Sequence, residues 1–469
     1  MALNEGSEPV SPSGQYLNSS VLSISILTVL ESEVPINDAH AISLLNHVFL
    51  PINPRFSSVM VTNQKGDKQW KRVEVKLEDH VNVPIFPAGL SPTSYDEYLD
   101  DYMSKIAMDQ FPQSKPLWEI HIFKYTTSNA AGNLILKLHH SLGDGYSLMG
   151  ALLSCLERAD NPSIPLTLPS RPRSEPKSEN KSAFARALQT FSSVSNTLFD
   201  FGWSVLKSTL VEDDRTPIRS GDEGVEYRPI TISTMTFSLD RIKHIKNKLG
   251  MTTNDVISGI IFLGTRLCMQ EISNESSEAH STALVLLNTR MISSYKSIKE
   301  MVEPNSEAPW GNRFGFLHVP IPKFKDPKSL DPLEFVREAH KIIKRKRSSL
   351  DVYLTGRLLE IMKNIRGPEA VARHIHRTLR NSSVTVTNVV GPIEKMALAN
   401  HPVKGIYYMT IGVPQSLTVS IINYMGNLRV TAGIEKGFLE PQKFKSCMKN
   451  AFEMMLKAVD ELPLRKTLI

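Results

Sequence analysis

The chain has 469 residues, 41% of them hydrophobic and 22% charged, with a formal net charge of +6 and an isoelectric point near 9.0. That length allows two or three domains with proper cores, and the composition excludes a disordered or fibrous chain. The mildly basic balance favours anionic partners such as phosphorylated cofactors or acidic membrane surfaces. Nucleic acid is set aside, because the basic residues are not interleaved with an aromatic platform. Cys155, Cys268 and Cys447 sit in separate apolar stretches without metal-ligand spacing, and read as buried hydrophobes in a reducing compartment.

The opening "MALNEGSEPVSPSGQY" is acidic and polar, unlike a signal peptide. "SVLSISILTVL" (20–30) is too short to cross a bilayer, and its β-branched alternation predicts a strand. "ISLLNHVFL" has helical spacing, "LILKLHH" (134–140) is strand-like, and "YSLMGALLSCLERA" is helical again. Alternation of this kind predicts a first α/β unit over residues 1–165. Pro, Ser and charge dominate 162–182, a solvated linker within a connecting region of 166–227.

Inside that region, 183–210 carries a helical apolar stripe from Phe184 to Leu206, interrupted by Arg186, Asp200 and Lys207. Three readings stand: packing on the core, a membrane-interface helix, or a span. Trp203 and the phenylalanines favour lipid contact. A second α/β unit is expected over 228–469. "ITISTMTFSL", "TALVLLNTR", "SSVTVTNVV", "GIYYMTIGV", "SLTVSIINY" and "LRVTAGIE" predict strands, and "TTNDVISGIIFLGTRLCMQ" and "PQKFKSCMKNAFEMMLKAV" predict helices.

The chemistry gathers at the end of the 134–140 strand. Period two puts Leu134, Leu136, Leu138 and His140 on one face, with His139 on the other. Asp144 follows between two glycines, placed to cap the next helix, and Gly145 suits a tight backbone turn. Adjacent histidines on opposite faces cannot share one ion, so no metal site is expected. "GYSLM" lacks the second glycine of a serine-hydrolase elbow.

"HHSLGDG" (139–145) fits H-H-x-x-x-D-G and resembles the hallmark of CoA-dependent acyltransferases with a chloramphenicol-acetyltransferase-like fold. With "SPSGQY", "PINPRFSS", "KPLWEIHI", "TTNDVI", "NRFGF" and "TNVVGP" in that order, the chain resembles the wax ester synthase/diacylglycerol O-acyltransferase family, its plant branch in particular. The resemblance implies an α/β fold of two such domains, with mixed sheets flanked by helices and an active-site tunnel between them.

It also implies transfer of a fatty acyl group from acyl-CoA to a long-chain alcohol, or to diacylglycerol, with acyl-CoA as co-substrate and no bound cofactor. His140 would be the general base, His139 a supporting residue, and Asp144 a structural residue paired with an arginine, for which Arg290 is the candidate. Asn254 would donate to the oxyanion, although "TTND" equally makes a capping box through Thr252 and Asp255. Trp118 in "PLWE" would shape an acyl tunnel or simply pack. "KIIKRKRSS" (341–349) reads as a solvated helix face, or as a contact for CoA phosphates or an anionic leaflet. "RHIHR" (373–377) has no useful metal spacing. The expected setting is the endoplasmic reticulum membrane facing the cytosol, with the plasma membrane as second choice. A catalytically silent acyl-CoA or lipid-binding relative, or an enzyme acting mainly on diacylglycerol, are the other readings.

Overall fold

The computed structural model describes residues 7–64, 68–164, 166–167, 197, 199–290, 309–324 and 330–462. Strands of the first half are β1 (Ser7–Pro9), β2 (Ser25–Ser32), β3 (Ser58–Thr62), β4 (Lys68–Arg72), β5 (Val81–Asn82), β6 (Trp118–Phe123), β7 (Gly132–His139) and β8 (Glu157–Arg158). The second half supplies β9 (Ile230–Ser238), β10 (Thr282–Asn288), β11 (Phe314–Pro320), β12 (Val384–Val389), β13 (Met396–Leu398), β14 (His401–Ile411), β15 (Leu417–Tyr424) and β16 (Asn427–Glu435). Apart from a small β1-β4-β3 sheet, they form a seven-stranded sheet, β5-β6-β7-β2-β14-β13-β8, and a six-stranded sheet, β11-β10-β12-β15-β16-β9. Both are mixed: β10, β12 and β15 run parallel, as do β5 and β6, and the other pairs are antiparallel.

One expectation needs correction. The division at residue 228 fails for β13 and β14, which lie beyond it yet complete the first sheet, β14 pairing along all of β2. Ile406, Tyr407, Tyr408 and Met409 are consecutive and all buried, so β14 needs a central position. Leaving such a side chain uncovered would forfeit ~1.5–3 kcal/mol.

Strand parity separates two cores across the first sheet. Leu136 and Leu138 face Phe49, Trp118 and the helix Gly145–Cys155, through its Leu148 and Leu152. Ile135 on the opposite face packs with Val29, Tyr407 and the helix Pro92–Met108, through Leu99 and Met103. The second sheet is covered by the helices Thr253–Ile272 and Pro441–Asp460, both lined with buried apolar residues.

Of the expected linker helix, 183–196 and residue 198 lie outside the described residues; 199–209 is helical. Its polarity is inverted. Asp200, Ser204 and Lys207 are buried, held by Lys346 at 3.0 Å, His318 at 3.1 Å and Asp213 respectively. Phe199, Trp203, Leu206 and Leu210, at steps of four, three and four, are exposed. Leu350 and Tyr353 extend that apolar surface, Leu350 being tied to Thr197 through its N–H at 3.2 Å. Among the described residues, no helix is long and apolar enough to cross a membrane.

Candidate active site

β7 delivers His139 as its last residue, and His140 opens the turn into the helix Gly145–Cys155. The turn closes through the Leu142 N–H on the His139 carbonyl, and the His140 N–H donates to Ile24. His139 is sealed in. Its Nδ1 bonds Ser141 Oγ at 2.7 Å, its Nε2 bonds Ser23 Oγ at 3.1 Å, and Phe111 stands edge-on to it. Burial, with His140 beside it, pushes the His139 imidazole down to about 3, so it stays neutral.

His140 has a different partner set. Its Nδ1 lies 2.9 Å from Asn312 Oδ1, and Asn312 Nδ2 donates back to the His140 carbonyl at 2.8 Å. That carbonyl can only accept, which fixes the amide's orientation, so Oδ1 must face Nδ1. Nδ1 therefore carries the proton and Nε2 keeps a lone pair. Among the described residues, no hydrogen-bond partner occupies Nε2. Burial lowers the His140 basicity below its ordinary value, against an upward pull from the Asp144 carboxylate. Phe314 provides an apolar wall, its ring 5.4 Å from the imidazole.

Asp144 and Arg290 explain how Asn312 reaches this position from 172 residues away. Asp144 caps the helix through the Ser147 N–H at 3.1 Å. Its carboxylate also takes two bonds from Arg290, at 2.6 and 3.2 Å, and the Arg313 N–H at 2.8 Å. Arg290, fully buried, donates onward to the carbonyls of Pro309 and Gly311. Trp310 Nε1 is anchored on the Leu142 carbonyl at 2.8 Å. The loop 309–313 is thus clamped at both ends around Asn312. Gly311 has φ of +120°, a conformation costly for a side chain, which lets the loop turn there. Gly145 is needed for space, since a Cβ there would meet Val389 at 2.9 Å.

The remaining expected residues scatter more. Asp255 closes the capping box, accepting from the Thr252 N–H at 2.9 Å, and is paired with His340 at 2.9 Å. Asn254 is exposed, and its Oδ1 accepts from Asn388 at 3.0 Å; the neighbouring Val389 packs at Gly145. Trp118 does not line an open channel. It is fully buried, stacked on His80 and edge-on to Phe49, with Nε1 on the Phe56 carbonyl at 2.8 Å. Its indole fills the sheet core because its N–H finds a partner there. No metal-binding cluster occurs among the described residues. Asn312 is the His140 partner that sequence reasoning misses: it opens "NRFGF", but nothing local assigns its side chain to His140.

The fold is shared with condensation domains and with a bacterial acyltransferase. It superimposes on the starter condensation domain of rhizomide synthetase RzmA with a TM-score of 0.54, 11% identity and coverage of 96% of this chain and 92% of that one. It superimposes on the wax ester synthase/diacylglycerol acyltransferase from Marinobacter aquaeolei VT8 with a TM-score of 0.58, 14% identity and coverage of 96% and 100%. The family model for the wax ester synthase/diacylglycerol acyltransferase catalytic domain matches residues 49–257, and that for the WS/DGAT C-terminal domain matches 310–456. The chain is 30% identical to wax ester synthase/diacylglycerol acyltransferase 11 of Arabidopsis thaliana over 97% of its own length and 96% of the relative's. It is 30% identical to number 4 of the same plant over 91% and 85%. The chain belongs to the wax ester synthase/diacylglycerol acyltransferase family and is an acyltransferase.

Proposed function

We propose that the protein transfers a long-chain acyl group from acyl-CoA to the hydroxyl of a long-chain alcohol, giving a wax ester, and to diacylglycerol as a second acceptor. The single observation that carries this reading is the His140–Asn312 pair, which presents Nε2 as an unprotonated base beside an apolar wall. Nε2 takes the acceptor's hydroxyl proton as its oxygen attacks the thioester carbonyl. A tetrahedral intermediate forms, the C–S bond breaks, and the imidazolium returns the proton to the departing CoA thiolate. No acyl-enzyme is needed, since the thioester is already activated. Asn312 is a positioning residue that holds the tautomer, and Asp144 and Arg290 hold its loop. Asn254 is the proposed oxyanion donor, a reading supported by Asn388 engaging its Oδ1 and leaving the amino group as the donor.

The reaction is proposed to occur at a membrane surface, the cytosolic face of the endoplasmic reticulum or the plasma membrane. The inverted helix 199–209 supports this, because its exposed Phe199, Trp203 and Leu206 suit the headgroup boundary. The test of the central reading is His140→Ala assayed with acyl-CoA and hexadecanol. A loss of ~10²–10⁴-fold in ester formation is expected from removal of a positioned base. Wild-type turnover would refute it.

A further inference from the structure

The sheet face that ends in His140 carries a second apolar feature at its other end. Leu30, Leu134 and Ile122 share one rung across β2, β7 and β6. Leu134 stands six residues from His140, ~20 Å along the strand at about 3.3 Å per residue. At this level a cleft open to solvent crosses the sheet between Val81 of β5 and Leu398 of β13. Those strands are five spacings apart, ~24 Å at about 4.8 Å each. The cleft reaches the Leu136 rung through Ile120, and the rung between it and His140 is closed by Leu138 and Trp118, both buried. The cleft is therefore separate from the catalytic histidine.

Its roof is unusual. Residues 38–52 change winding from 3₁₀ (Asp38–His40) to α (Ala41–Leu44), to π (Leu45–Phe49) and back to α (Leu50–Ile52). Ala41 of this segment and Ile36 just before it line the cleft, while Ile42 and Val48 of the segment, and Val34 ahead of it, are exposed. Such π turns occur disproportionately at functional sites.

Charge at the mouth selects the ligand. The polar lining is Ser32, Asn37, Asp38 and His401. Asp38 is paired with Lys124 at 2.9 Å. His401 Nε2 accepts the Asn37 N–H at 2.9 Å, and Nδ1 bonds the Leu398 carbonyl at 3.1 Å. Among the described residues, the lining holds hydroxyl, amide and carboxylate groups suited to an alcohol, and no lysine or arginine for a fatty carboxylate or a phosphate.

We propose that this cleft binds the alkyl chain of a long-chain alcohol, with the hydroxyl at the Asn37–Asp38 mouth, as an acceptor-holding site apart from His140. The choice of an alcohol rests on the acyltransferase reading; the cleft and its charge do not. The test uses the full chain and a photoreactive long-chain alcohol bearing an alkyl diazirine. Label is expected on the peptides containing 36–45 and 398–403, also in His140→Ala. Hexadecanol should compete better than octanol, by about fourfold per additional buried methylene, and hexadecanoate should not compete. Ala41→Phe, which fills the roof, should cut cleft labelling at least tenfold. Leu134→Ala, which widens the floor and does not depend on the roof folding normally, should keep it. Label absent from those peptides, or equal competition by hexadecanoate, overturns the proposal. Ester formation is measured on the wild-type preparation: cleft labelling of wild type without any ester would sink the proposed acyl transfer to an alcohol instead.

Discussion

Replacing Asn312 by alanine tests the assembly of the site most directly. The substitution removes the Nδ1–H···Oδ1 bond at 2.9 Å and the Nδ2–H···O bond at 2.8 Å while leaving His140 in place. The imidazole is then free to carry its proton on Nε2, where it cannot accept one from an alcohol. Leaving a buried polar group unpaired costs ~1–3 kcal/mol. At about 1.36 kcal/mol per tenfold, the structure predicts a loss of ~5- to 150-fold in kcat, with the KM for acyl-CoA little changed. Asn312→Asp separates tautomer control from simple packing. Its carboxylate can still accept from Nδ1–H, but its charge favours the imidazolium. It should recover part of kcat and move the acid limb of the pH–rate profile upward. Initial rates of ester formation with labelled acyl-CoA from pH 5 to 8 provide both readouts. An alanine variant with unchanged kcat, or an aspartate variant with an unmoved acid limb, would refute the positioning role.

Arg290→Leu should strand the Asp144 carboxylate without its counter-charge, costing ~3–5 kcal/mol in urea unfolding. Asp144→Asn in the same chain should return part of that loss, and additive losses would argue against the pairing. His318, bonded to Ser204, is held down to about 3 by burial and by Lys346 and Lys207. Its unfolded form binds a proton near pH 6.5 and its folded form does not, so its contribution is full above 6.5 and falls toward 3. The stability difference between wild type and His318→Asn should therefore change by ~1.4 kcal/mol per pH unit in that window. Wild type alone would mask this, because burial raises Asp100 and Asp351 to about 6 and their contributions grow as pH falls. A pH-independent difference would remove the argument. Trp203→Ser combined with Leu206→Ser and Leu210→Ser should release the protein from anionic vesicles in a flotation assay; unchanged flotation would assign membrane contact elsewhere.

Local chemistry makes the centre of the site legible in the sequence. Parity alone separates His139 from His140, and the Thr252–Asp255 spacing announces its capping box. Asp144 pairs with Arg290 as the family resemblance implies. Long-range pairing is not legible in the same way. Nothing near Asn312 points to His140, because the contact is made by a loop pinned through Arg290 and Trp310 rather than by periodicity. β14 reads as an ordinary strand of the second unit, since burial on two faces says that a strand is central but not in which sheet. Trp118 invites a tunnel role because a motif cannot tell a wall from a filled core. The helix 199–209 carries an apolar stripe, but which side faces out depends on burial of Asp200 and Lys207 by residues far away in sequence.

The crossing of β14 also bears on how the protein is made. During synthesis β2 and β7 leave the ribosome early, but the edge of β2 stays unpaired until residue 411 follows, 272 positions after His139. At ~5–20 residues per second this leaves an open, apolar strand edge for roughly 14–55 seconds. The nascent chain therefore has an extended period in which a chaperone, or a neighbouring nascent chain, can occupy the place that β14 will later take.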